Sequence, residues 1–128
     1  MRMQGKIGLV TAAGSGMGKA GAIRFAREGA SVSVVDINPE AVDAVVKEIK
    51  DAGGNAIGIV ADLTKDEESK RIVTETANHF EGLDFVWNHV GYPGPASIEG
   101  IEMKDFELTL DLNLRTILVT TEAALSEF

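Results

Sequence analysis

A glycine-rich segment, Thr-Ala-Ala-Gly-Ser-Gly-Met-Gly over residues 11–18, joins the first apolar run to the first helical pattern. Glycine at such a turn lets the backbone approach a phosphate, and the helix N-terminus adds free N–H groups and a positive dipole end. We therefore expect these residues to hold a diphosphate: Gly14, Ser15, Gly16 and Met17, with Gly18 as a further contact. A G-x-G-x-x-G match also reaches Gly21, but Gly21 falls on the helix face that we expect to pack against the sheet.

Asp36 closes the second apolar run, twenty residues after Gly16. An acidic side chain at this place can accept both hydroxyls of an adenosine ribose, and its charge repels a 2′-phosphate. Its neighbour is Ile37 rather than an arginine. We expect Asp36 and Ile37 to hold the ribose and NAD(H) to be preferred over NADP(H). An N-cap role for Asp36 is the alternative, but Asn38 already fills that role.

Polar residues also close the third and fourth apolar runs. We expect Asp62 and Leu63 to flank an adenine ring, with Asp62 left free because Thr64 caps the next helix; a plain loop aspartate is the alternative. In Asn-His-Val-Gly at residues 88–91, Asn88 either ties strands together or contacts ribose. Gly91 permits close approach of a ligand.

Two further polar residues have both functional and structural interpretations. His89 has the chemistry of an acid–base group, but the sequence offers no partner for it, so a structural role is favoured. A lone helix asparagine such as Asn113 is usually exposed or bonded locally, but the leucines on both sides of it favour a buried position. The aromatic residues are interpreted as core: Phe25, Phe80, Trp87 and Phe106.

The elements that must position these residues alternate along the chain. Four β-branched, nearly continuous apolar runs predict parallel strands covered on both faces: Ile7–Ala12, Ser31–Ile37, Ala56–Ala61 and Phe85–Asn88. Helical patterns separate the runs. The second starts at Asn38-Pro39, the third has a Thr64–Glu67 capping box, and the fourth runs from Met103 onward. Alternating β and α elements predict one α/β domain over residues 1–128 with a parallel sheet.

Composition limits the function classes. The chain has 128 residues, a net charge of −8 and no cysteine. The negative charge argues against nucleic acid or an anionic membrane as the main partner. Without cysteine there is no thiolate nucleophile, disulfide or zinc–thiolate site, and we expect no metal. No apolar run approaches a bilayer span, and we expect a cytoplasmic protein.

Taken together, these motifs resemble the short-chain dehydrogenase/reductase family along the whole chain. The family's Thr-Gly-x-x-x-Gly-x-Gly loop aligns with Thr11–Gly18, its NAD-selecting acid with Asp36, its adenine-site Asp with Asp62, its Asn-Asn-Ala-Gly strand end with Asn88–Gly91, and its helix Asn with Asn113. The resemblance implies a Rossmann-type doubly wound sheet with strands ordered 3-2-1-4. It also implies a nicotinamide cofactor, an alcohol or ketone substrate, a catalytic role for Asn113 and a homo-oligomer in the full-length protein.

The chain departs from the family pattern at three places. Ala12 replaces a glycine, and Val90 is bulkier than the usual alanine and lies beside the expected ribose–nicotinamide path. The family's Ser, Tyr and Lys are absent, since Tyr92 has no Lys four positions on. We therefore expect the cofactor-binding half of a longer fold, truncated before a fifth strand and inactive alone. A catalytically silent NAD-binding module is the alternative, and an S-adenosylmethionine-dependent methyltransferase is less favoured.

Overall fold

The computed structural model describes residues 1–128 and alternates strands with helices. The strands are β1 (Ile7–Val10), β2 (Ser31–Asp36), β3 (Asn55–Val60) and β4 (Phe85–Trp87). The helices are α1 (Gly16–Arg27), α2 (Pro39–Asp51), α3 (Asp66–Phe80), α4 (Met103–Leu110) and α5 (Thr116–Leu125), with a π-helical turn over Asp111–Arg115 between the last two. None of these helices is long and apolar enough to cross a membrane.

The four strands form one parallel sheet in the order β3-β2-β1-β4. Val10 of β1 lies opposite Val34 of β2 and opposite Trp87 of β4. The sheet confirms the expected doubly wound α/β fold and its strand order. Because all strands point the same way, the loops that follow them gather at one edge, where open α/β sheets bind ligands.

The sheet is buried on both faces, which explains the near-continuous apolar runs. Consecutive residues of a strand point to opposite faces. Val10 packs in a cluster with α1 and α2, while Leu9 packs in a second cluster with α3 and α5, and both residues are fully buried. Two separate apolar layers therefore hold the carboxyl edge of the sheet in place.

The helix starts agree with the sequence in one case and differ in another. Asn38 caps α2, since its side chain accepts a hydrogen bond from the Ala41 amide at 3.1 Å, and Pro39 begins the helix. The predicted capping box on Thr64 is wrong. Helix α3 begins at Asp66, its N-cap residue is Lys65, and no side chain caps it; the Thr64 hydroxyl donates to the nearby Asp62 carboxylate at 2.7 Å.

The fourth helical pattern runs from Met103 to Leu125 as α4 and α5 joined by the π-helical turn, and its apolar stripe faces outward. Phe106 and Leu118 are 43% and 62% exposed, so the interpretation of Phe106 as core is wrong. Helix α5 packs on α3 through small residues on another face, where Ser69 and Thr116 share a buried hydrogen bond of 3.0 Å. Apolar periodicity marked a stripe here, but it did not indicate that the stripe is exposed.

Candidate functional site

The turn between β1 and α1 presents free backbone donors. The amides of Ser15, Gly16, Met17 and Gly18 have no acceptor within the chain, and the Ser15 side chain does not cap the helix. Gly16 has φ +57° and open space around its Cα, and the Met17 side chain is 71% exposed. Free donors together with the positive end of the helix dipole form a place where an anion can bind.

The other glycines of the turn face protein rather than open space. A Cβ on Gly14 would lie 2.8 Å from the Asp36 carboxylate, and one on Gly18 would overlap the Ala12 carbonyl. Both positions therefore require glycine because of close packing, and the Gly14 amide already donates to the Asp36 carboxylate. Gly21 packs directly under the ring of Trp87, which confirms the close-packing interpretation of that glycine.

The Asp36 carboxylate is held in place by backbone amides. Oδ2 accepts from the Gly14 amide at 2.9 Å, and Oδ1 accepts from the amides of Ile37 and Asn38 at 2.8 and 3.2 Å. A carboxylate offers about four acceptor sites, so these three bonds do not exhaust it. No cation pairs with Asp36. The carboxylate is therefore fixed beside the glycine turn with acceptor capacity remaining.

A cleft of about 500 Å³ opens at the carboxyl ends of the strands. It is lined by Ala12, Asp36, Ile37, Ala61, Asp62, Leu63, Thr64, Val90, Gly91, Leu108 and Leu112. The lining thus brings together six residues singled out in the sequence: Asp36, Ile37, Asp62, Leu63, Val90 and Gly91. Mostly apolar walls with a few placed polar groups are typical of a small-molecule site. A smaller cavity, about 170 Å³, lies between α1 and α2 and includes none of the expected site residues.

Asp62 is not free, contrary to expectation. Its Oδ1 accepts from the Thr64 hydroxyl at 2.7 Å and from the Thr64 amide at 3.0 Å. The hydroxyl bond, followed by the amide bond, holds the pKa of Asp62 below its ordinary value. These two bonds hold the carboxylate against Thr64 in the cleft wall.

Thr11 was not expected to shape the site, yet it joins two of its walls. This fully buried residue accepts, at Oγ1, the amides of His89 and Val90 at 2.9 and 3.0 Å. The end of β1 is thereby tied to the segment after β4. A hydroxyl at the start of the glycine motif was the only sequence signal for it. Leu108 and Leu112 carried no such signal, because they reach the cleft from a helix distant in sequence.

Asn113 lies outside the cleft lining, in the π-helical turn, and is exposed rather than buried as expected. Its Nδ2 donates to the Tyr92 carbonyl, and its Oδ1 accepts from the Tyr92 amide, both at 2.7 Å. The leucines on either side do not bury it, because this part of the helix presents apolar residues to solvent. In this structure the side chain fixes the backbone that follows Gly91.

Asn88 also lies outside the cleft lining, at the end of β4. Its Nδ2 donates to Thr121 of α5 at 3.2 Å, whereas its Oδ1 is buried without a hydrogen-bond partner. The side chain therefore joins the sheet to α5. The Nδ1 atom of His89 and the hydroxyl of Thr120 are likewise buried and unpaired.

A cleft beside a free helix N-terminus, at the carboxyl edge of a doubly wound sheet, defines an α/β nucleotide-binding protein of the Rossmann type. The comparison with known families makes the class more specific. The model of the short chain dehydrogenase family matches residues 6–128, and the chain belongs to that family. This membership confirms the resemblance and decides against the methyltransferase alternative.

Relatives and solved structures agree with the assignment. The chain is 40% identical over 115 residues to an uncharacterized oxidoreductase of Thermotoga maritima, covering 90% of this chain and 45% of that protein. It is 37% identical over 114 residues to a 7alpha-hydroxysteroid dehydrogenase of Escherichia coli, covering 89% and 44%. The chain thus spans about half the length of these curated relatives.

Two solved structures of dehydrogenases contain nicotinamide cofactors. A short chain dehydrogenase from Burkholderia cenocepacia in complex with NADP superposes with a TM-score of 0.96 at 34% identity, covering 100% of this chain and 53% of that one. A 7 alpha-hydroxysteroid dehydrogenase complexed with NADH and 7-oxo glycochenodeoxycholic acid superposes with a TM-score of 0.94 at 34% identity, covering 98% and 49%.

Proposed function

We propose that this chain binds NAD(H) and forms the cofactor-binding part of an oxidoreductase that acts on a small alcohol or ketone. The observation that carries the proposal is the amide-held carboxylate of Asp36, which lines the cleft next to the free N-terminus of α1. When bound, a nicotinamide cofactor supplies hydride transfer to or from carbon. The protein's part is to bind and orient it.

Each wall of the site has a role in this proposal. The free amides of residues 15–18 hold the diphosphate, together with the turn at Gly14. Asp36 accepts the ribose hydroxyls beside Ile37, and Asp62 and Leu63 flank the adenine. Val90 and Gly91 line the way toward the nicotinamide. Asn88 joins the end of β4 to α5, and Asn113 holds the backbone of Tyr92. We also propose a catalytic role for Asn113.

The preference for NAD(H) over NADP(H) rests on charge. A 2′-phosphate would bring negative charge against Asp36, and no cation pairs with that carboxylate. Relatives complexed with NADP and with NADH are both known, so the comparisons support a nicotinamide cofactor without choosing between the two.

Isothermal titration calorimetry with NADH and NADPH tests the cofactor proposal. We expect the protein to bind NADH more tightly than NADPH. Asp36→Asn should weaken NADH about tenfold, equivalent to about 1.4 kcal/mol, and reduce the difference between the cofactors. Asp43→Asn, which removes the same charge from an exposed position on α2, is the matched control. Equal NADH affinity in the protein and in Asp36→Asn would contradict the ribose role.

We further propose that residues 1–128 form the cofactor-binding half of a longer single-domain fold. The relatives are about twice as long, and β4 has only β1 as a strand neighbour. The buried, unpaired Oδ1 of Asn88 lies directly after β4. The chain by itself should therefore give no alcohol dehydrogenase turnover with NAD. Measurable turnover would contradict this and would favour an unexpected catalytic group such as His89.

We also make proposals about the partners of this protein. We propose a homo-oligomer that uses the exposed apolar residues of α4 and α5, with no nucleic acid or membrane partner. The cytoplasmic location expected from the sequence stays a prediction, which cell fractionation would test.

A further inference from the structure

Three rings lie along β4 and the residue that follows it by two, and each lies against a glycine. Phe85 covers Gly8, Trp87 covers Gly21, and His89 lies beside Gly18. Trp87 and His89 have ring centroids 4.9 Å apart, and Phe25 of α1 packs on both Phe85 and Trp87 at 4.8 and 6.1 Å. These contacts set how closely α1 approaches β4.

His89 is the end of this row that reaches the candidate anion site. A Cβ on Gly18 would lie 2.9 Å from the Nδ1 atom of His89, so the imidazole packs directly against the first turn of α1. That turn carries the free amides of residues 15–18. The direction of those amides therefore depends on what fills the space between Trp87 and Gly18.

The contact made by the His89 ring is one of packing. Nδ1 is buried and has no hydrogen-bond partner. The backbone of His89 is held separately, because its amide donates to the Thr11 hydroxyl at 2.9 Å and to the Trp87 carbonyl at 2.9 Å. A change of side chain at residue 89 thus leaves the loop anchored while it alters the support under α1.

We propose that His89 is a positioning residue whose ring holds the first turn of α1 in the geometry that binds the diphosphate. This inference rests on the proposed nucleotide site. It adds that the His89 ring affects the affinity for the phosphate groups and not the affinity for the adenosine part of the ligand. Asp36 and the adenine walls lie on the far side of β1 from His89, in contact with β2 and β3. The ring itself lies against Gly18 and Trp87 rather than against these groups.

Ligands that separate the two halves of the site test the proposal. Calorimetry would measure the affinities for inorganic pyrophosphate, ADP and adenosine. Fluorescence would follow the emission of Trp87, which is the only tryptophan and contacts His89. His89→Ala should weaken pyrophosphate and ADP about tenfold, with adenosine changed by less than about twofold. Pyrophosphate should shift Trp87 emission in the protein, and His89→Ala should abolish that shift. His89→Phe keeps a ring and should retain ADP affinity within about threefold.

Phe85→Leu is the matched control, since it shortens the opposite end of the row and should leave the ratio of ADP to adenosine affinity unchanged. The inference would be overturned if His89→Ala lost as much affinity for adenosine as for ADP, or lost affinity for neither. It would also be overturned if His89→Phe lost as much ADP affinity as His89→Ala. If the unmodified protein binds neither ADP nor NADH, the nucleotide site itself is wrong and the inference falls with it. Binding of ADP without an effect of His89→Ala overturns the inference alone.

Discussion

Ala12 adopts a left-handed backbone conformation, with φ +52°, at the point where the family pattern has glycine. Such a conformation costs a residue with a Cβ roughly 1–2 kcal/mol. Glycine avoids this cost but loses about 0.5–1 kcal/mol more backbone entropy on folding. We predict that Ala12→Gly raises the free energy of unfolding by about 0.5–1 kcal/mol, measured by urea denaturation.

The neighbouring alanine provides the control for this prediction. Ala13 is fully buried and does not have positive φ. Ala13→Gly should therefore destabilise the protein, since it removes a packed methyl group and adds chain entropy. A loss of stability in Ala12→Gly would contradict the argument from backbone strain.

Glu28 links the N-terminal segment to α1. It accepts from the Arg2 amide at 3.0 Å and from the guanidinium groups of Arg2 and Arg24 at 3.1 and 2.8 Å. The bond from the Arg2 amide, then that from its side chain, lowers the pKa of Glu28 from 4.5 to about 2. A carboxyl group with a lowered pKa stabilises the fold above its unfolded pKa, and this contribution is lost as the pH falls through the folded pKa.

We therefore predict that Glu28→Gln is less stable than the unmodified protein at pH 7, and that the difference shrinks between pH 4.5 and about 2. Thermal melting across this range measures it. Glu122→Gln, at an exposed position with no ion pair, should leave the pH dependence unchanged. A difference that stays constant with pH would count against the Glu28 contacts.

Some site residues were predictable because a strand end and a residue type suffice to place them. Asp36, Ile37, Val90 and Gly91 all line the cleft, and their contacts with a cofactor stay a prediction. The engagement of Asp62 by Thr64 was not predictable, because the Thr64 hydroxyl could serve either as an acceptor for an amide of the next helix or as a donor to Asp62. The contacts of Asn113 with Tyr92 depend on how a long loop folds back on a helix.

At the scale of elements, glycine packing fixes α1 on the sheet. A methyl group on Gly21 would overlap the Trp87 ring. Alanine favours a helix over glycine by about 1 kcal/mol, but overpacking costs about 1–3 kcal/mol, so we predict that Gly21→Ala is destabilising. Chemical denaturation tests it. Gly82→Ala is the control, because the nearest atom to its Cβ would be 3.6 Å away. Similar stability of the two variants would contradict the packing account.

Strand predictions were accurate and helix faces were less so. Each strand was found within two residues of its expected bounds, because continuous β-branched runs are bounded by loops. The helices after Met103 were harder, since small residues such as Thr116, Thr120 and Ala124 form the buried face while leucines lie outside. Assigning the largest apolar residues to the core therefore predicted the wrong buried face for these helices.

At the scale of the whole molecule, that exposed face predicts self-association. Its apolar residues are Phe106, Leu110, Leu114, Leu118 and Leu125, each at least 43% exposed. Large exposed apolar patches mark interaction sites. We predict that Leu114→Glu with Leu118→Glu lowers the average mass measured by analytical ultracentrifugation, whereas Ile98→Glu does not, although Ile98 is 88% exposed. An unchanged mass in the double variant would argue against this interface.

Strand order followed from the alternation of elements and the family resemblance together, and the structure confirms it. The volume of the cleft did not follow from either. It depends on α4 and the π-helical turn, whose Leu108 and Leu112 close one side of the site. Leu108 and Leu112 reach the cleft only through the tertiary packing of segments that are distant in sequence, so a local sequence pattern could not predict this wall.

The central claim is that a nicotinamide dinucleotide binds at the carboxyl edge of this sheet, between the first turn of α1 and Asp36. An NMR titration of the ¹⁵N-labelled protein with NADH tests it most directly. We predict that the largest amide shifts fall on residues 14–18, on Asp36 and Ile37, and on Asp62, Val90 and Gly91, while Gly53 and Gly54 at the opposite end of α2 do not move. Shifts confined to other residues, or no shifts at saturating NADH, would contradict the account.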